Sequence, residues 1–274
     1  MKVILSRKGF DSSVGGCASP ILPDGRLVSL PIPTSMDHVS YASLRSPCGR
    51  SYFQLLKELG GESGIAGRGA HVDPVLERPD HVELSNQRWR ASLGQIGAAA
   101  GHLRNQGVGV GDLFLFYGWF RHTLEVSGRL QYARDPGVHL IFGYLEVGEV
   151  MPFTRQRTIP EWLSHHPHAH PARRAISTNT LYLARDRLSR ADECAGAGVL
   201  KFDERRVLTA SGLTRGRWRL DRRLFGNACI SYHDESAWKD GYFQSYPRAQ
   251  EYVIEANEAI AHWAYELIRE RGTS

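Results

Sequence analysis

The chain has no apolar run approaching the roughly 18 residues of a membrane-spanning helix. No leader is expected at its start either, because Val3-Ile4-Leu5 is broken at once by Ser6-Arg7-Lys8. A cytoplasmic protein with no membrane partner is the expectation. Cysteine is scarce: Cys17, Cys48, Cys194 and Cys229 are the 4 in 274 residues, and none belongs to a CxxC pair. That excludes zinc ribbons and dithiol redox motifs, and leaves free thiols in a reducing compartment as the simplest state. The chain also lacks the phosphate-loop lysine motif, the dinucleotide glycine triplet, the G-x-S-x-G elbow, the H-E-x-x-H zinc helix and the H-x-E with P-C-x-x-C deaminase pair. No internal repeat and no low-complexity tract is present.

What is there has the balance of an ordinary globular protein, 42% hydrophobic and 23% charged. The length suits one large domain or two small ones. The expected organisation is a single compact unit over 1–274, with a site-bearing α/β part at 1–107 and a β-rich part at 108–274. A formal charge of +5 tilts the chain towards polyanionic partners. Arg205, Arg206, Arg215, Arg217, Arg219, Arg222 and Arg223 cluster around Trp218 and Phe225. Such a run can track a phosphate backbone and stack bases, or protect an exposed hairpin edge.

Hydrophobic spacing predicts a mixed α/β (α+β) fold with a curved central sheet. A short strand at Val3–Leu5 is followed by a second at Leu27–Pro33. Tyr52, Leu55, Leu56 and Leu59 recur at helical steps, with Ser51 as N-cap and Gly60-Gly61 as stop. Leu93, Ile96, Ala100 and Leu103 predict a helix over Ser92–Gln106. Long aromatic strands are expected at Gly111–Phe120 and Val138–Val150, and Val199–Leu208 continues as strands with a hairpin around Lys201-Phe-Asp-Glu-Arg205. Pro247–Arg271 reads as one long amphipathic C-terminal helix, with Glu251, Glu255, Glu258 and Glu266 on its polar side.

Three groups of residues could carry chemistry. Ser6, Arg7, Lys8, Asp11, Ser12, Ser13, Gly15 and Gly16 form a loop after the first strand. Its cations neutralise phosphate charge, and its glycines let backbone N–H groups approach oxygen; a solvated turn is the competing reading. His71 and Asp73, two apart in an extended segment before Pro74, point to the same side. They suit general-base work or a metal, against a plain polar turn. The run His165-His166-Pro167-His168-Ala169-His170 is the third group, a possible zinc or divalent-ion site with His168 as an acid/base candidate. No motif specifies a cofactor, and a divalent metal is the one candidate.

Two resemblances follow from the motifs. Gly109-Val-Gly-Asp-Leu-Phe-Leu-Phe-Tyr117 with Leu140-Ile-Phe-Gly-Tyr-Leu-Glu-Val147 resembles the paired strands of PUA-like barrels, including the ASCH and EVE groups. That resemblance implies a base-holding pocket in which Tyr117, Trp119 and Phe120 could stack, although aromatics on strands are more often core. Over nearly the whole length, Ser6-Arg-Lys-Gly-Phe-Asp-Ser-Ser-x-Gly-Gly16, Ser19-Pro-Ile-x-Pro-Asp-Gly25, Ser29-Leu-Pro-Ile-Pro33, His71-x-Asp-Pro74, Gly111-Asp-Leu-Phe-Leu-Phe-x-Gly-Trp-Phe-Arg121 and Gln250-Glu-Tyr-Val253 resemble the nucleotide modification associated domain 3 family. The family is named for its association with bacterial and phage base-modification systems. The resemblance implies nucleotide or nucleic-acid chemistry without naming a reaction. It carries over Ser6, Arg7, Lys8, Asp11, Ser12, His71, Asp73 and Arg121, with His168 beside them.

The leading expectation is a nucleotide or nucleic-acid base-modifying enzyme that performs group transfer or glycosidic-bond chemistry. Arg7 and Lys8 would hold phosphate, Asp11 and Asp73 would do acid/base or nucleophilic work, and His71 would relay a proton. A non-catalytic reader of modified bases, walled by Trp119 and Tyr117, is the alternative. A metal-dependent phosphodiesterase or nuclease is the third. Oligomeric state is left open.

Overall fold

A computed structural model describes residues 1–78, 89–247 and 249–269. Its centre is an open, curved nine-stranded mixed sheet with the main order Glu251–Glu255, Lys2–Arg7, Leu113–Val126, Val138–Pro152, Thr180–Ala184 and Ser92–Gln95. Lys2–Arg7 runs parallel to the start of Leu113–Val126, and each of the remaining pairs along this order is antiparallel. A parallel pair needs a long crossover. Residues 8–112 supply it, and that excursion carries most of the site.

Side-chain alternation along the strands builds two cores, one on each face. Val3, Leu5, Leu113, Leu115 and Tyr117 face a core shared with Trp218, Tyr252 and the C-terminal helix. Ile4, Phe114, Phe116, Phe142, Leu145 and Val253 face the other. Burying each such side chain is worth about 1.5–3 kcal/mol. The two longest strands, of 14 and 15 residues, change register between Phe116 and Tyr117 and between Val147 and Glu149. Bulges of this kind bend and twist a sheet.

The predicted fold class holds, with local corrections. The strands that resemble a PUA-like pair do pair with each other, but the sheet stays open instead of closing into a barrel. The predicted helix from Pro247 is a strand at Glu251–Glu255 followed by a helix at Glu258–Ile268, capped by Asn257. The strand forms because its backbone groups complete the ladder of the N-terminal strand, which would otherwise be buried without partners. Ser92–Gln106 also divides, into a strand at Ser92–Gln95 and a helix at Gly97–Asn105, because Ser92–Gln95 pairs with Thr180–Ala184. Around Val199–Leu208 there is a strand at Ala197–Val199 and a 3-10 turn at Glu204–Arg206 instead of a hairpin. In the predicted second strand only its end is ladder-paired, Ile32–Thr34 against Gly69–His71.

The helix at Tyr52–Glu58 forms as its spacing predicts. Ser51 accepts from the Gln54 backbone N–H, and the Gln54 side chain accepts from the Ser51 backbone. Among the described residues, no helix is long and apolar enough to cross a membrane.

Candidate functional site

Polar side chains seldom enter a core without partners. Here a group of them converges at the carboxyl end of the N-terminal strand, on the face that also carries Ile4. The alternation that sends Ile4 to that face sends Ser6 and Lys8 there too, and Glu251, opposite Ser6 in the ladder, joins them. Lys8 Nζ donates to Glu251 Oε1 at 3.1 Å, and Gln95 Nε2 donates to the same oxygen. Both members of the ion pair are buried, with side chains 7% and 1% exposed. Burial pushes the Glu251 carboxyl upward; Lys8 and Ser6 oppose the shift without cancelling it.

The pairing of Ile32–Thr34 with Gly69–His71 places His71 beside this group, and Asp73 follows on a cis peptide to Pro74. Asp73 Oδ1 accepts the Gly94 backbone N–H at 2.8 Å, and Lys8 lies within its electrostatic reach. His71 Nε2 is 3.9 Å from Asp73 Oδ2, and His166 Nε2 is 3.5 Å from Asp73 Oδ1. The histidine run folds as a 3-10 turn, Pro167–Ala169, which buries His166 and His168. Gly94 is required at this junction: a Cβ there would sit 2.2 Å from the His168 ring.

Second partners hold the imidazoles. His71 Nδ1 is 2.8 Å from Asp37 Oδ2, and Arg173 grips both oxygens of Asp37 at 2.5 and 2.7 Å. Burial would raise the Asp37 carboxyl, but the hydrogen bonds from His71 and Arg173 outweigh it and hold the group at about 2. His168 Nδ1 is 2.6 Å from Asn179 Oδ1. Burial pushes His166 down to about 3 and His168 to about 4, against the pull of Asp73, so both rings are neutral at neutral pH. His71, Asp73 and His168 could hold a metal ion, since each offers a ligand atom and these atoms lie within 4.8 Å of one another.

His71 and Asp73 also form part of the wall of an open cleft of about 760 Å³. Arg26, Arg45, Arg78 and Lys201 line the same cleft against one further carboxylate, Glu77, with Tyr52, Leu76 and Phe142 as apolar surface. A cation excess beside apolar and aromatic surface is the lining a nucleotide-like ligand needs.

Of the residues singled out from sequence, the fold brings Ser6, Lys8, His71, Asp73 and His168 together. The others lie apart from the cluster. Asp11 Oδ1 accepts from the Ser13 N–H, the Ser13 hydroxyl and the Val14 N–H, closing a turn. Ser12 and Ser13 are exposed there, and Gly15 and Gly16 take φ of +87° and +78°. Arg7 donates to Pro247 O. Arg121 stacks over Tyr132 and donates to Ala133 O, while Arg215 covers the ring of Trp119. Tyr117 is core, packed edge-on to Trp218.

Much of the arginine run is bound within the chain. Arg205 pairs with Asp203, Arg222 with Glu235 and Arg223 with Asp221, while Arg206 is buried against Leu267 O and Lys201 O. Sequence reasoning passed over Asp37, Gly94, Gln95, Arg173, Asn179 and Glu251. Glu251 carried a signal, an acidic residue opening the apolar stretch Tyr252-Val-Ile254. The others carried none, since nothing local ties Asp37, the Gly94-Gln95 pair, Arg173 and Asn179 to one another or to His71.

The model of one protein family, described as nucleotide modification associated domain 3, matches residues 2–255. No curated protein and no solved structure matches the chain.

Proposed function

Because the chain belongs to the nucleotide modification associated domain 3 family, we propose that it is an enzyme that modifies a nucleotide or a nucleic-acid base in the cleft bounded by His71 and Asp73. One observation carries the reading. A largely buried network of Asp37, His71, Asp73, His166 and His168 meets the cation-lined cleft at His71 and Asp73. Arg45 and Lys201 would attract phosphate, Arg26 being already paired with Asp24, and Tyr52 and Phe142 offer apolar surface to a base. The reactive centre is His71, Asp73 and His168, and the reaction is group transfer to a base or glycosidic-bond chemistry. The network favours reaction over binding alone: a reader needs shape and stacking, whereas preorganised imidazoles around a carboxylate are the equipment of proton transfer or metal chemistry.

The test is incubation of the purified protein with nucleotides, short DNA and short RNA, with and without divalent ions, followed by mass spectrometry of the nucleosides. A mass change that falls roughly 100-fold or more in Asp73→Asn supports the reading. Product formation that continues undiminished in Asp73→Asn and His71→Gln refutes it. Tight binding of a modified oligonucleotide without turnover would establish the reader instead.

A further inference from the structure

Hydrogen bonds fix where the protons of the three imidazoles sit. His71 Nδ1 faces Asp37, whose oxygens carry only lone pairs, so Nδ1 holds a hydrogen and Nε2 is the ring atom turned towards Asp73, the one free to present a lone pair to a metal ion. Asn179 is oriented by its own donors, since Nδ2 donates to Phe153 O at 2.8 Å and to His168 O at 3.1 Å. Its Oδ1 therefore accepts from His168 Nδ1, and His168 Nε2 is also a bare lone pair. His166 differs. Its Nδ1 accepts the His168 backbone N–H at 3.1 Å, so the hydrogen sits on Nε2, facing Asp73 Oδ1. That buried N–H has no hydrogen-bond partner among the described residues.

The three histidines are thus not equivalent. Two present lone pairs and one presents an N–H. Asp73 divides in the same sense: Oδ1 takes the Gly94 N–H and faces His166, while Oδ2 is turned to His71. One ligand atom from each of His71, Asp73 and His168, one of the three anionic, lies within 4.8 Å of the other two in a largely buried setting. Such atoms repel unless a cation sits between them.

We propose that His71 Nε2, His168 Nε2 and Asp73 Oδ2 bind one divalent transition-metal ion, with its remaining coordination positions open towards the cleft. The inference starts from the reactive centre assigned above and deepens it. Two imidazoles and one carboxylate suit zinc or iron(II), whereas magnesium and calcium prefer all-oxygen shells. Each ligand has the outer partner such sites use: Asp37, itself clamped by Arg173, behind His71; Asn179 behind His168; the Gly94 N–H behind Asp73, with the His166 N–H 3.5 Å away and short of a hydrogen bond. An ion held by three protein atoms keeps room for water or substrate, and supplies Lewis-acid chemistry or a bound hydroxide near neutral pH.

The test needs no turnover. The wild-type protein is titrated with zinc(II), cobalt(II), anaerobic iron(II) and magnesium(II), and bound metal is counted after desalting. One zinc or cobalt per chain, no retained magnesium, and a cobalt X-ray absorption spectrum with two imidazoles and no sulfur are expected. Asp73→Asn, His71→Gln and His168→Gln should each weaken cobalt binding by more than about 100-fold, and His166→Gln and Asp37→Asn by about 10–100-fold. Circular dichroism reports whether each variant folds, and the wild-type spectrum decides the matter if one does not. No stoichiometric uptake of any transition ion overturns the proposal in favour of a proton held between His71 and Asp73. Sulfur in the shell, or binding indifferent to the three ligand substitutions, overturns it as well. Metal uptake without nucleotide turnover would leave this inference standing while removing the enzymatic reading, and turnover without metal would do the reverse.

Discussion

Replacing Lys8 with methionine keeps an apolar side chain of similar length and removes only the charge, which leaves Glu251 in a site where its side chain is 1% exposed. Breaking a buried ion pair from one side costs about 3–5 kcal/mol, because the surviving charge stays desolvated. A second route gives a similar figure. The stranded carboxyl can escape by taking up a proton, which at pH 7 costs about 1.4 kcal/mol for each unit between its wild-type folded value and 7, an upper bound of roughly 3 kcal/mol because burial has already raised that carboxyl above its ordinary 4.5. The second route also fixes the pH dependence. In Lys8→Met the folded-state pKa of Glu251 is raised well above the unfolded value. The folded variant therefore holds a proton that the unfolded chain gives up, and stability is lost as pH rises from about 4.5 towards 7. Urea unfolding followed by tryptophan fluorescence should show a deficit of about 3 kcal/mol at pH 7 that shrinks steadily towards pH 4.5. Lys8→Met with Glu251→Gln should recover most of it. A deficit under about 1 kcal/mol at pH 7, a deficit that does not change with pH, or a double variant no better than the single would refute the reasoning.

Three other outcomes follow from the same physics. Gly94→Ala puts a methyl 2.2 Å from the His168 ring, so the ring must leave Asn179; a loss of about 1–3 kcal/mol in urea unfolding, with altered His168 imidazole NMR signals, is expected. Ser51→Ala removes one half of the box that starts the Tyr52–Glu58 helix and should cost about 1 kcal/mol by the same assay, without changing nucleotide or metal binding. His139 accepts from Trp218 Nε1 at 3.0 Å, and burial, reinforced by Arg215 and Arg7, pushes it down to about 3. The unfolded chain thus binds a proton that the fold excludes between about pH 6.5 and 3, and stability falls by about 1.4 kcal/mol per unit as pH drops through that window. His139→Gln keeps an acceptor for Trp218 and should show a shallower acid limb, by about one proton, in unfolding measured from pH 7 to pH 4. Identical slopes would show that His139 is not held neutral.

Local pattern by itself determined the elements whose residues act on near neighbours. The alternation of Val3, Ile4 and Leu5, the paired aromatic strands and the Ser51–Gln54 cap are short-range facts, and the fold contains them. The family, too, was readable from separate motifs along the chain. His71 and Asp73 could be singled out because an extended backbone aims residues two apart to one side. What the pattern could not determine was whether Ser92–Gln95 and Glu251–Glu255 continue their neighbouring helices, since both are strands only because another strand lies beside them. The same holds for the cluster around Asp73. Arg173 meets Asp37 across 136 residues, and Lys8 meets Glu251 across 243. Only the tertiary structure decided which charges are buried against each other and which ring nitrogens of the three histidines face Asp73, because hydrogen-bond partners and desolvation depend on distance in space, and local sequence periodicity records neither.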